Sequence, residues 1–242
     1  MIDNKKEFGL GLVMLGSFFA VLIIIFQPIF KGHNGLDFFD NLFNSISKGS
    51  AYYIPAQLEK SKKFDGKVVD LTVNFSVKSK DKEGKEIDKS AEFAAQAAKQ
   101  LTAVGVQASA TEKTLKFNGD MGKIFAAILR DSDFMYANKG EEVSKLYNGD
   151  DHMKVMKCWW ETLKWTQRAL LKQEKFPEAL QCDAISKKAV EPVYNFYGIK
   201  DEKIGNEVGL VVGCLVFYVV YTMWYGFAIL FLFEGWGMKI SH

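Results

Sequence analysis

Two long runs without a charged side chain, one near each end, restrict this 242-residue chain more than any other feature. Phe8 to Phe30 covers 23 residues and Val208 to Phe233 covers 26. About 20 apolar residues span a bilayer as a helix, so each run is long enough to cross. In hydrocarbon the backbone must satisfy its own hydrogen bonds, which makes helices the expected form. The expected class is α+β, with two transmembrane helices flanking a mixed α/β soluble domain. That domain is read as a small sheet in the order β-α-β-β-α plus a helical lobe.

The first run has the positive start of a signal peptide in Lys5 and Lys6. Its apolar part, Leu10 to Phe26, is longer than a cleavable signal needs. It is followed by Gln27-Pro28-Ile29-Phe30 rather than a small-x-small cleavage site. An uncleaved signal-anchor is therefore expected over 1–30. An interfacial helix and connector follow over 31–63, an α/β lobe over 64–149 and a tryptophan-rich helical lobe over 150–206. The C-terminal span covers 207–236 and a short tail 237–242.

Two crossings place both termini on one side. Lys5, Lys6 and Lys239 flank the spans on the terminal side, and Lys31, Lys200 and Lys203 on the other, so the cationic bias is nearly even. A long loop translocates largely regardless of its charge. The expected arrangement is cytoplasmic termini in the cell (inner) membrane with the central domain extracytoplasmic, or periplasmic.

Between Lys31 and Asn206 there are 28 Lys and Arg against 25 Asp and Glu, a net of +3. A nucleic-acid surface would show a concentrated basic face, so no nucleic-acid partner is expected. Arg130 and Arg168 are the only arginines, which limits bidentate recognition of carboxylate or phosphate. Cys214 lies in the second apolar run, leaving Cys158 and Cys182 as the one disulfide open to an exported domain. With a helix over about 151–173 and another from Pro177, their distances from the intervening turn are roughly 22 and 8 Å at the helical rise. A bridge needs Cα atoms within about 7 Å, so it forms only if the first helix ends early.

Leu36, Phe39, Phe43 and Ile46 fall at helical spacing, with Asn34 as cap and Lys48-Gly49 as stop. This aromatic-rich helix beside a membrane exit suits the interface, although packing on its own domain is equally open. Ser50 to Lys63 reads as a connector. Val69, Leu71, Val73, Phe75 and Val77 alternate with polar residues as a strand. A charged turn follows over Lys78–Lys85. Helical spacing predicts a helix over 88–104, strands over 106–111 and 114–117, and a helix around Ile124, Phe125, Ile128 and Leu129. Val155, Trp159, Leu163 and Leu170 mark a further helix, and another is expected from Pro177 to Val190, stopping before Pro192.

Gly205, Gly209 and Gly213 make two overlapping GxxxG steps, a flat stripe suited to close helix packing in lipid. The partner is another chain or the first span, which offers Gly9, Gly11 and Gly16. The later part of the second run is crowded with aromatic residues, among them Tyr218, Tyr221 and Trp224, and Trp236 suits an interfacial belt. Neither run contains a charge or a histidine, which argues against haem ligation and ion conduction at membrane depth. Asp150-Asp151-His152 is the one cluster resembling a metal or acid–base site. Neighbouring residues at a helix start do not converge on one centre, so the aspartates are assigned to the helix N-terminus. His33 and His242 stand alone. No phosphate-binding glycine loop, nucleophile elbow, zinc-binding HExxH or CxxC occurs.

These features point to a non-catalytic accessory or structural subunit of a membrane assembly, homo- or hetero-oligomeric. Its expected partners are the lipid bilayer and other membrane subunits or copies of itself, with no cofactor, metal or catalytic residue. The alternative is a membrane-anchored extracytoplasmic sensor or ligand-binding module. Terminal tails of about seven and nine residues leave no room for an output domain in this sequence.

Overall fold

The computed structural model describes residues 2–30, 32–80 and 83–238. Lys31, Lys239, His242, part of the Lys78–Lys85 turn and most of the 237–242 tail lie outside the described residues. The chain is mostly helical with two small sheets, and it divides into two compact units, Met1–Gly49 with Asp201–His242, and Ser50–Lys200.

The first unit holds α1 (Lys5–Ile25), α2 (Gly35–Ser50) and α10 (Ile204–Gly235). Asn4 caps α1 by accepting from the amides of Lys6 and Glu7, and Asn34 caps α2 by accepting from Asp37 N at 2.8 Å. The α1 and α10 helices are each long and apolar enough to cross a membrane, and only 6% of either apolar window is buried within the protein. A core helix of a water-soluble fold would instead be mostly covered. They pack against each other as an antiparallel pair, closed at one end where the amides of Asp3 and Asn4 both donate to Gly235 O. The α2 helix runs through Gly49 rather than stopping at Lys48-Gly49. A Cβ at Gly49 would collide with the Glu202 backbone, so glycine is needed there for close approach, not as a stop.

The second unit is built on a three-stranded antiparallel sheet in the order β1 (Val68–Asn74), β5 (Thr114–Asp120), β4 (Gln107–Thr111). In β1 the alternation is visible directly: Val69, Leu71 and Val73 are buried while Asp70, Thr72 and Asn74 are exposed. The apolar face is covered by α4 (Ser90–Ala103), α5 (Met121–Tyr136) and α7 (His152–Lys172). One continuous apolar core runs from Ile54 to Val193 through both the strand-rich stretch and the tryptophan-rich helices. The unit also contains α3 (Ile54–Ser61), the hairpin β2 (Lys78–Lys80) and β3 (Glu86–Asp88), α6 (Gly140–Leu146), α8 (Phe176–Ile185) and α9 (Glu191–Asn195).

Two further segments of this unit differ from the sequence expectation. The supposed connector over 50–63 contains α3, with Pro55 in its first turn, where a missing N–H costs nothing. The helix from Phe176 does not end before Pro192. It passes through a π-turn over Ser186–Val190 into α9, and a wider turn absorbs the hydrogen bond that Pro192 cannot donate.

A buried carboxylate ties three of these helical segments together. Asp131 on α5 is fully buried; its Oδ1 accepts from Nε and a terminal nitrogen of Arg130 at 3.0 and 2.8 Å. Its Oδ2 accepts from Trp159 Nε1 on α7 at 2.9 Å and from the Tyr147 hydroxyl just after α6. Burial, with the Asp131 charge and hydrogen bond, pushes the Tyr147 phenol well above its ordinary range.

Candidate functional site

The closest helix contact in the membrane-type unit is made by Gly11, Ala228 and Gly235. A Cβ at Gly11 would lie 2.7 Å from Leu232 N and 2.9 Å from Ala228 O. Ala228 is fully buried, and a side chain at Gly235 would run into the Phe8 backbone. Small residues thus let the two backbones approach, the means by which helices gain packing energy in lipid. Farther along, Tyr221 OH donates to Phe18 O at 2.8 Å and Trp224 Nε1 to Met14 O at 3.2 Å. The Phe18 ring stacks on Tyr221 with centroids 4.3 Å apart. Part of the aromatic crowding in the second run therefore serves to bind the first.

The glycine stripe lies elsewhere. A Cβ at Gly205, Gly209 or Gly213 would meet nothing within 4 Å, and the same holds for Gly9 and Gly16 on α1. The pairs Met14–Trp224 and Phe18–Tyr221 set an antiparallel register that brings the end of α1, Ile25, level with about residue 214 on α10. The stripe lies beyond that point. The α1 helix therefore uses Gly11 for α10 and leaves Gly205, Gly209 and Gly213 open.

On α2 the four residues at helical spacing divide. Leu36 and Phe43 are 57% and 45% exposed, Phe39 packs against Phe30 and Phe38, and Ile46 is buried. The far end of α2 is tied to the start of the last segment by Glu202 N donating to Ser45 O at 3.0 Å.

Cys158 and Cys182 are both buried and both free. The α7 helix does not end early; it continues to Lys172. The Cys158 thiol faces Phe93 O at 3.7 Å, and Cys182 sits on α8. Burial pushes both thiols well above the ordinary range, so each is an inert apolar filler.

The residues of Asp150-Asp151-His152 go separate ways. Asp150 accepts from Gln96 Nε2 at 2.7 Å, Asp151 caps α7 by accepting from Lys154 N at 2.9 Å, and His152 packs its ring on Tyr197. A cleft of about 610 Å³ opens beside them, between β2, α4 and the start of α7. Lys78, Lys89, Lys154 and Lys157 line it against Glu92, Asp150, Asp151 and Glu161, so its charge is balanced. The most enclosed of these, Glu161, is only 4% exposed and is held by Lys164 at 3.3 Å and by Trp165 Nε1 at 3.0 Å. No group of three or more metal-type side chains converges among the described residues.

Neither a known protein family, nor a curated protein, nor a solved structure matches this chain.

Proposed function

We propose that the protein is a non-catalytic accessory subunit of a membrane assembly. In this reading α1 and α10 cross the bilayer as a hairpin, with the termini in the cytoplasm and residues 50–200 outside. The observation that carries it is the division of labour among glycines. Gly11 and Gly235 are consumed by the hairpin, while Gly205, Gly209 and Gly213 present an open face on the same long helix. In lipid such a face gains little by staying bare and much by receiving a second helix closely. The exposed Leu36 and Phe43 of α2 suit the membrane interface beside it.

The test is native mass measurement from mild detergent. Wild-type protein should run as an oligomer or mixed complex, and Gly209→Ile with Gly213→Ile should reduce the particle to a single chain. An unchanged mass refutes association through the stripe. Sidedness is read separately by introducing a cysteine at exposed Asn148 and adding a membrane-impermeant maleimide to cells with a permeabilised outer layer. Labelling supports the outside placement, and protection until lysis reverses it.

A further inference from the structure

The exposed face of the sheet carries a second cleft, of about 970 Å³, between β1 and the last turns of α7. Its polar lining comes from Thr72 and Asn74 on the outward face of β1, Lys113 in the β4–β5 turn, and Trp165, Arg168 and Lys172 on α7. Asp70 is the one carboxylate in the lining. Three cations against one anion give this cleft a net charge of +2, unlike its balanced neighbour. Among the described residues, Arg168, Lys113 and Lys172 form no ion pair.

Arg168 is also the better placed of the chain's two arginines. Arg130 is committed to the buried Asp131. Arg168 instead lies over the Trp165 ring, its guanidinium carbon 4.4 Å from the centroid. That ring is held in turn by the Trp165 Nε1 bond to Glu161, a carboxylate nearly closed to solvent. A guanidinium stacked on a fixed indole has lost much of its rotamer freedom before any ligand arrives, yet its N–H edge stays available to an oxyanion. Across the cleft, Asn74 Oδ1 accepts from Thr114 Oγ1 at 2.8 Å, which leaves its amide nitrogen as the donor end of that side chain. Lys113 also lies within Coulombic reach of Asp88, while Asp70 is the one carboxylate that lines the cleft itself.

We infer that this cleft is an oxyanion site taking a phosphate-bearing ligand of charge about −2, with Arg168 as the forked contact and Lys113 and Lys172 as flanking charges. The phosphate belongs to a free small molecule or to a lipid headgroup, since both offer the same group. The site goes beyond the subunit reading and does not depend on how the helices associate.

The experiment is calorimetric titration of the full chain in uncharged detergent with inorganic pyrophosphate, at ionic strength held constant with chloride. Saturable one-site binding is expected. Arg168→Lys should weaken it about tenfold, because the stacked fork is lost while the charge remains. Lys172→Gln should weaken it several-fold, and Lys139→Gln, exposed and remote from the cleft in sequence, should leave it unchanged. All three positions are exposed, and circular dichroism of each variant checks that the fold survives. No saturable heat up to about 10 mM overturns the site, as does an equal loss from Lys139→Gln, which would mean diffuse charge attraction. Repeating the titration in nanodiscs separates the sources. Weakening by phosphatidic acid beyond that caused by an equal charge of a fatty-acid carboxylate assigns a headgroup, and equal binding in both assigns a soluble ligand.

Discussion

The indole N–H of Trp159 donates to Oδ2 of Asp131 at 2.9 Å, and neither residue is reached by solvent. The same carboxylate takes Arg130 and Tyr147, so one side chain joins α5, the end of α6 and α7. A buried charge is tolerated only when its lone pairs are met, and here they are.

Asp131→Leu should therefore be far more damaging than Trp159→Phe. The first leaves the buried hydroxyl and indole donors without their acceptor, about 1–3 kcal/mol each, while the half-exposed Arg130 guanidinium turns to water. The second removes one donor and some volume, at about 1–3 kcal/mol. For a unit of this size that ordering corresponds to falls in Tm of roughly 10 °C and 5 °C, measured by near-ultraviolet circular dichroism in detergent.

Gly11→Ile should loosen the hairpin whereas Gly16→Ile should not. The first would drive a side chain into Leu232 N and Ala228 O, and the second meets open space. Overpacking costs about 1–3 kcal/mol. The midpoint of unfolding in an SDS titration, followed by tryptophan fluorescence, should drop for the first variant alone. Equal midpoints would disprove the close contact.

Tyr52 reports pH. Its hydroxyl donates to Asp133 Oδ1 at 2.7 Å, and that bond, followed by partial burial and the carboxylate charge, raises its pKa from 10.0 to about 12. Because the folded value exceeds the unfolded one, the native state holds the proton more tightly. The associated stability is complete below pH 10, declines as the pH rises from 10 to about 12, and is gone above that. Absorbance titration at the phenolate band should show a tyrosine ionising near 12 in the wild type and not in Tyr52→Phe.

The two thiols of the second unit should stay silent. At mildly alkaline pH a maleimide should leave Cys158 and Cys182 unmodified in the folded protein and label both after denaturation, read by peptide mass. Reductant should not shift Tm, since both are free.

Much of this architecture is legible in the sequence, because burial imposes a period on it. Val69, Leu71 and Val73 announce β1, and Val155, Trp159 and Leu163 announce α7. The hairpin of Lys78–Lys80 with Glu86–Asp88 buries almost nothing, so it carries no apolar rhythm and reads as a charged turn. The seven-residue α6 is too short to show one. The Asp131 network joins residues 28 positions apart, and no local pattern encodes such a meeting. Three glycines at spacing four stand out on α10, yet which glycines touch is decided by the register of two helices, and that selects Gly11 and Gly235. The second cleft has no signature in the sequence for the same reason: Arg168, Lys113 and Thr72 come together only once α7 lies along β1.

The shared grip of Asp3 and Asn4 on the Gly235 carbonyl has a practical consequence. Anything fused ahead of one and anything fused behind the other leaves from a common point. Complementary halves of a split reporter attached at these two places would reassemble within a single molecule, and a short peptide bridge would close the polypeptide into a ring without disturbing either apolar helix.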